Sequence, residues 1–566
     1  MVSNSGRIYT LCLRAGCYKM DYAERHGALP PELLKFMEAP GGHSLVIKGE
    51  AGTGKTTLAL QLIETMASSE NQYYLSSRVS DESLFRQFPW LKETTEKVKL
   101  LKAGKAFLLH MTSSVKRVDP EGADLVKQTE MTDLGPAVEL LRALNESDEK
   151  LTVDRTELHR LEGQIEEGSI SASEEVSPTR ISFDSGSVDL VLGRLLPELE
   201  VAYDRVEERL PERSLVVIDS IDGLGEKYDI PPERLLTVIQ KDIVEGSGAN
   251  VVYVLESAGG THMDYLGDGV VSLSTRELAG RRGRIMQLEK LRGVKVDRHK
   301  YMFTLVNGRL ETFPPSPNQI QQPERKWRSV QNPGTETASF GSVQLDRIFG
   351  GLPYGSVTLI EVGANVPSVY SDIIQDALVA SFASRNNGVA WIPSRKASYD
   401  LLHDRISGMI GEGRFEKNVR IFEQSSAAPT DIPYLISLEG NKLLTDLKWE
   451  TIEYNLSDSN HPFLSLLGFD ILESMYGKED DSGLLDGLVE HVGAIRRGKH
   501  VMVAQALSSS RLYLQWLSDI SLMHIKLENI EGTVVLYGMK PFTQFYGMLP
   551  DPAMDDNLPV NLVPVS

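Results

Sequence analysis

Residues 49 to 56 read Gly49-Glu50-Ala51-Gly52-Thr53-Gly54-Lys55-Thr56, a G-x-x-x-x-G-K-[ST] loop. Such a loop works only between a buried strand and the start of a helix. The flanks supply both: Ser44-Leu45-Val46-Ile47-Lys48 is a short apolar strand, and Leu58, Leu60, Leu62, Ile63 and Met66 follow the spacing of a buried helix face. The glycines let successive backbone N–H groups turn inward around a β-phosphate at the helix N-terminus, and Lys55 adds a point charge between the β and γ groups. Thr56 is placed to hold Mg²⁺, with Thr57 beside it. The pattern implies binding of ATP with Mg²⁺ by residues 49 to 57.

Length and composition bound the rest. At 566 residues the chain exceeds one core and calls for several domains. Hydrophobic content of 41% and charged content of 24% are those of a soluble globular protein. No long uninterrupted apolar run and no secretory signal pattern occurs, so the expected location is the cytoplasm, away from membrane. Cys12 and Cys17 read as reduced structural thiols, because no further ligands for a metal stand near them. The net charge of −20 repels nucleic acid over most of the surface.

A repeat organises the chain. Phe340 to Ile360, with Val357 to Glu361 as its strand, plays the part of residues 44 to 48. About thirty residues beyond each strand, another ends in related residues: Tyr74-Leu75-Ser76-Ser77-Arg78-Val79-Ser80, and Trp391-Ile392-Pro393-Ser394-Arg395-Lys396-Ala397-Ser398. Two copies of one α/β unit are the simplest explanation. The Pro-rich stretch from Thr312 to Ser339 reads as the junction, with 316–337 as linker between an N-terminal domain (1–315) and a C-terminal one (338–566). The second copy has diverged: its loop is Gly363-Ala364-Asn365-Val366-Pro367-Ser368-Val369-Tyr370, with no counterpart of Gly54-Lys55, and Pro367 removes an N–H donor.

In the first half, Ser214-Leu215-Val216-Val217-Ile218-Asp219-Ser220 is an apolar parallel strand ending in an acid. An aspartate there holds the water shell of the metal ion, so Asp219 joins Thr56 on the Mg²⁺ side. A further strand, Asn250 to Leu255, ends in Glu256-Ser257, where a polar sensor of the γ-phosphate would sit. After Asp264 to Val271 come β-like runs at Arg284 to Leu288 and Tyr301 to Val306, separated by Glu289-Lys290-Leu291-Arg292-Gly293.

This order of parts resembles RecA-superfamily ATPases of the KaiC type, and Phe340 to Val357 is similar to the opening segment of a KaiC domain. The resemblance covers about 40 to 310 and, more faintly, 338 to 550. The S-S-R-V-S strand tip, Gln87-Phe88-Pro89-Trp90-Leu91 and the degraded second half look most like the archaeal gas vesicle regulatory protein D family. The resemblance implies two tandem RecA-like (KaiC-type) α/β domains with mainly parallel sheets flanked by helices, the second degenerate. It also implies that the K-x-R-G turn reaches across a subunit interface to a neighbour's γ-phosphate, making Lys290 and Arg292 candidates for a finger acting in trans; a solvated basic turn is the other reading. Arg281, Arg282 and Arg284 line an interface, hold a phosphate or, by default, balance acids on an exposed strand.

One departure matters. The family places a pair of glutamates at the second strand tip to orient water, and here stand Ser76-Ser77-Arg78, which supply no general base. Either hydrolysis is slow, with Asp81, Glu82 or Glu256 as substitutes, or Arg78 stabilises bound nucleotide and the domain is a binding switch. A long insertion occupies about 101 to 187. Its part from Glu162 to Pro178 is acidic and reads as a mobile loop, and amphipathic Val138 to Leu161 fits core packing or a partner surface. Val188 to Leu210 has helical spacing, with Pro197 as a kink or split.

The function expected is an ATP-binding, slowly hydrolysing regulatory ATPase acting through protein partners and self-association. The alternatives are a DNA recombination or repair ATPase, disfavoured by charge, and a nucleotide-stabilised scaffold that never turns over.

Overall fold

The structure, a computed structural model, describes residues 9–12, 17–20, 29–66, 71–76, 81–91, 99–100, 179–183, 186–190, 197–228, 230–256, 263–320, 326–394, 398–424, 432–438, 460–476 and 483–566. Ser77, Arg78, Arg395 and the expectations for Val138 to Pro178 lie outside them, as do the side chains of Asp81 and Glu82. Two compact units emerge: Met1–Arg276 with Arg284–Thr312, and Glu277–Gly283 with Phe313–Ser566.

The first unit holds a nine-stranded sheet. We number its strands β1 (Ser44–Gly49), β2 (Asn71–Ser76), β3 (Lys99–Leu100), β4 (Ser214–Asp219), β5 (Asn250–Val254), β6 (Gly269–Leu278), β7 (Arg281–Leu291), β8 (Lys300–Thr304) and β9 (Glu311–Thr312). Their order across the sheet is β9-β8-β7-β6-β1-β5-β4-β2-β3. From β6 to β3 every pairing is parallel, and β7, β8 and β9 form an antiparallel edge. Covered on both faces, β1 has every residue buried, which is why it reads as a continuous apolar run rather than an alternating one. One face packs on the Lys55–Met66 helix through Leu58, Leu62 and Met66. The other carries Val46, Val216 and Ile218 against Leu224, Leu236 and Ile239. Each leucine so buried contributes about 2 kcal/mol relative to exposure.

The second unit holds a ten-stranded sheet: β10 (Ser356–Val362), β11 (Asn387–Ile392), β12 (Val419–Gln424), β13 (Leu435–Leu438), β14 (Asn460–Gly468), β15 (Val501–Leu507), β16 (Met523–Ile530), β17 (Thr533–Lys540), β18 (Tyr546–Pro550) and β19 (Val560–Pro564). Its order is β19-β18-β17-β16-β10-β15-β14-β11-β12-β13. Strand for strand this repeats the first sheet, with β13 added at the parallel edge. Both units are thus α/β, with mixed, mainly parallel sheets and flanking helices, an architecture consistent with an α/β P-loop fold.

Two local expectations are corrected. The span Val188 to Leu210 is not one helix: a strand occupies Gly186–Leu190 and the helix runs Pro197–Glu207. Pro197 opens that helix instead of kinking it, because a first-turn proline needs no backbone N–H. Likewise Lys290 and Leu291 are not in a turn but complete β7, and the chain leaves the sheet only at Arg292.

Candidate functional site

Beyond Gly49 the chain loops through Glu50, Ala51 and Gly52, all exposed, and re-enters the fold at buried Thr53. Thr53 Oγ1 donates to Glu50 O at 2.8 Å and closes the turn. Gly54 has φ +103°, a conformation that favours glycine, and a Cβ there would stand 3.1 Å from Leu305 Cδ2, a tight contact that Leu305 would have to relieve. The Lys55–Met66 helix then begins with its first N–H groups facing the loop. Lys55 Nζ donates to Gly49 O at 2.7 Å and Glu50 O at 2.8 Å, which stretches its buried side chain along the loop's inner side. Thr56 points the other way: its Oγ1 donates to Asp219 Oδ2 at 2.7 Å. Thr57 is buried on the helix.

Asp219 arrives at the tip of β4, and Ser76↔Asp219 is the last pair with β2. Two residues back on the same face of β2, Tyr74 donates its hydroxyl to the same Oδ2 at 2.9 Å. Burial pushes the Asp219 carboxyl up, while the bonds from Thr56 and Tyr74 and the charge of Lys55 pull it back. Burial pulls the Lys55 amine down, opposed by Glu256, Asp219 and Asp222. Beside them, Ser220 Oγ accepts from Gly223 N at 3.2 Å and lies 3.4 Å from Glu256 Oε1, and Glu256 N donates to Asp222 Oδ2 at 2.6 Å. Glu256 itself is exposed.

This arrangement can take a polyphosphate. Helix N–H groups and Lys55 supply positive potential on one side, and a hydroxyl and a carboxylate stand together on the other. Thr56 and Asp219 are hard oxygen donors in contact, a donor set that fits Mg²⁺. The ion would supply charge neutralisation on the phosphates.

The structure brings together the loop, Lys55, Thr56, Asp219 and Glu256, and leaves Lys290 and Arg292 elsewhere. In β6, Leu273 pairs with Gly49 and Gly269 with Leu45, so the loop end of the sheet is the Leu273 end. Arg292 N donates to Asp268 O, at the opposite end. There Arg292 Nη1 meets Asp268 Oδ1 at 2.9 Å with its side chain 58% exposed. Lys290 Nζ lies 3.3, 3.2 and 2.6 Å from the carbonyl oxygens of Asp264, Tyr265 and Gly267. Those three acceptors match the three donors of an ammonium group.

Sequence reasoning missed Tyr74 and Ser220, which only strand register reveals. Arg284, for which the sequence left an interface, a phosphate and an exposed strand open, donates from Nη1 to the loop carbonyl Gly52 O at 3.1 Å. The exposed-strand reading of the arginine cluster is corrected: Arg281 and Arg284 are buried and only Arg282 is exposed. Within the second unit, the Arg281 guanidinium lies 4.0 Å from the Phe542 ring centre and donates to Thr543 O and Gly538 O.

The corresponding place in the second unit is filled. Asp219 pairs with Val254, which pairs with Ile47 of the central strand; Gly468 pairs with Gln505, which pairs with Ile360. Gly468 therefore stands where Asp219 stands. A Cβ on it would lie 2.8 Å from Ser394 N and 2.9 Å from the Pro393 carbonyl carbon, both backbone. Trp391, at the register position of Tyr74, is buried and donates from Nε1 to Gln375 Oε1 at 3.1 Å. An indole bonded to an amide thus stands at the register of the Tyr74 hydroxyl, and glycine at that of the Asp219 carboxylate.

A Gly-rich loop closed onto a helix start, with its threonine bonded to the acid of a nearby parallel strand, defines an α/β P-loop protein. The sequence model of the family described as "GvpD gas vesicle protein, P-loop domain" matches residues 33–152 and 176–290. The chain is similar to Protein GvpD2 of Halobacterium salinarum, 23% identical over 539 residues that span 92% of this chain and 93% of the relative. Protein GvpD1 of the same organism is 24% identical over 410 residues, 71% of this chain and 63% of the relative. The chain is thus similar to GvpD proteins over most of its length, and its first unit to their P-loop domain. Among the described residues no helix is long and apolar enough to cross a membrane.

Proposed function

We propose that this protein binds ATP·Mg²⁺ at the loop of its first unit, hydrolyses it slowly and uses the bound state to regulate protein partners, as a tandem pair of RecA-like units of which the second is degenerate. The observation that carries the reading is the 2.7 Å bond between Thr56 Oγ1 and Asp219 Oδ2, which sets the two metal-side oxygens side by side at the mouth of the loop. The matching strand order of the two sheets supports the tandem assignment. In this reading Lys55 and the helix N–H groups bind phosphate, Thr56 and Asp219 hold the ion, Tyr74 orients Asp219, and Glu256 accepts the proton of the attacking water. Of the two basic candidates, Arg292 acts on a neighbouring subunit's phosphate, since the Lys290 amine is engaged by backbone carbonyls. The match to a family model described as a gas vesicle protein supports a role in gas vesicle biology.

Calorimetric titration with ATP·Mg²⁺ tests the reading. One site per chain is expected, lost in Lys55→Ala; two equivalent sites, or binding that survives that substitution, would overturn it.

A further inference from the structure

The motif Gln87-Phe88-Pro89-Trp90-Leu91 has no part in the chemistry above, yet its indole sits against the loop's surroundings. Leu305, which closes over Gly54, leads into a short turn, Val306–Gly308, in which Asn307 has φ +61°. Trp90 Nε1 donates to the carbonyl of Gly308 at 3.1 Å. The next residue, Arg309, lies with its guanidinium 4.5 Å from the Trp90 ring centre. Its two terminal nitrogens engage both carboxylate oxygens of Glu64 on the Lys55–Met66 helix. Phe88 meets Trp90 edge-on at 6.0 Å, which holds the indole in place. The turn is thus clamped at both ends, by an indole on one side and by a planar two-bond ion pair to the loop's own helix on the other.

The position of this turn gives it a role. Asp219 and Glu256 belong to the β4 and β5 flank of the central strand, and the Leu305 turn leaves β8 on the opposite flank. If the metal-side phosphates lie toward the acids, the remainder of a nucleotide would extend to the opposite flank, along Leu305 to Gly308. We propose that Trp90, through Arg309 and Gly308, is a positioning residue that sets the wall met by the nucleoside end of the ligand. The proposal rests on the ATP-binding reading.

Two probes separate the two claims: ATP·Mg²⁺ and inorganic tripolyphosphate with Mg²⁺, which has the phosphates and no nucleoside. In Trp90→Ala, loss of the cation–π contact and of one hydrogen bond should weaken ATP binding by about tenfold while leaving tripolyphosphate within about twofold. Arg309→Lys keeps the charge toward Glu64 but not the flat stacking face, and should fall between wild type and Trp90→Ala. Lys55→Ala should lose both ligands. Unchanged ATP affinity in Trp90→Ala, or an equal loss for both ligands, would overturn the proposal while the ATP reading stands. Wild-type protein that binds neither ligand would overturn that reading itself. If Trp90→Ala proves unfolded by circular dichroism, the ratio of ATP to tripolyphosphate affinity in Arg309→Lys decides the matter alone, an unchanged ratio counting against the wall.

Discussion

At residue scale the site turns on one carboxylate oxygen. Asp219 Oδ2 accepts from both Thr56 and Tyr74, and each bond favours the ionised form that burial opposes. Tyr74→Phe removes one donor at nearly constant volume, so it should weaken Mg²⁺-dependent ATP binding by about tenfold, from a bond to a charged group worth about 1.5 kcal/mol, and leave metal-free binding unchanged. A magnesium titration at fixed ATP reads it. Glu256 makes a sharper case, since it is exposed and close enough to Lys55 to act on its amine. If it is the proton acceptor, Glu256→Gln should cut turnover about a hundredfold while the ATP dissociation constant stays within about threefold. Equal turnover in wild type and Glu256→Gln would remove Glu256 from the chemistry.

At the scale of elements, the second unit carries a buried pair of histidines, and the pH behaviour of one of them can be worked out. His491, on the Gly483–Gly498 helix, is held down to about 4 by burial and by nearby His500, and its Nε2 lies 2.9 Å from Ser465 Oγ. Its folded value is below the unfolded one, so between pH 6.5 and 4 the unfolded chain takes up a proton that the folded chain refuses. Stability therefore falls as pH drops through that window, by about 3 kcal/mol in all, and is fully present above it. Denaturant melts of wild type and His491→Gln from pH 7 to 4 should show a shallower slope in the variant. The elements themselves were largely readable. β1, β4, β5 and the loop helix follow from apolar runs and one motif, because parallel strands buried on both faces leave an unmistakable pattern. The helix at Pro197 was misplaced because β-capable residues from Val188 share helical spacing, and periodicity alone does not separate the two. Tyr74 and Ser220 stayed hidden for another reason: each meets its partner from an element distant in sequence, which local pattern does not encode. Trp90 was visible as a motif, but its use depended on a turn more than two hundred residues away.

At the scale of the whole molecule, the reading demands assembly. Arg292 lies at the end of β6 and β7 opposite the loop, so any action on phosphate must reach a different subunit. Subunits carrying Lys55→Ala and subunits carrying Arg292→Ala should each be inactive, and their mixture should recover about a quarter of wild-type activity in the simplest pairing of intact loops with intact fingers. A mixture that stays inactive while wild type turns over, or specific activity that is constant on dilution to monomer, would return Arg292 to its structural bond with Asp268. The strongly acidic chain, at −20, makes the same point about partners: complementary surfaces on them should be basic, and binding should weaken as salt rises.

The tight contact at Gly468 bears on whether the second unit, read as a degenerate copy, could be given back a site. Because the backbone of Pro393 and Ser394 has moved into the space a side chain would need, Gly468→Asp does not restore a lost acid; it drives a carboxylate into main chain and should cost about 3 kcal/mol of stability with no gain in ATP stoichiometry. Repair would require withdrawing the β11 tip first, then replacing the acid, then rebuilding a loop now occupied by Pro367, and none of these steps is rewarded before the last. On the tandem reading proposed above, the asymmetry between the two units is a ratchet: packing, once closed, guards the loss of the second site against reversal.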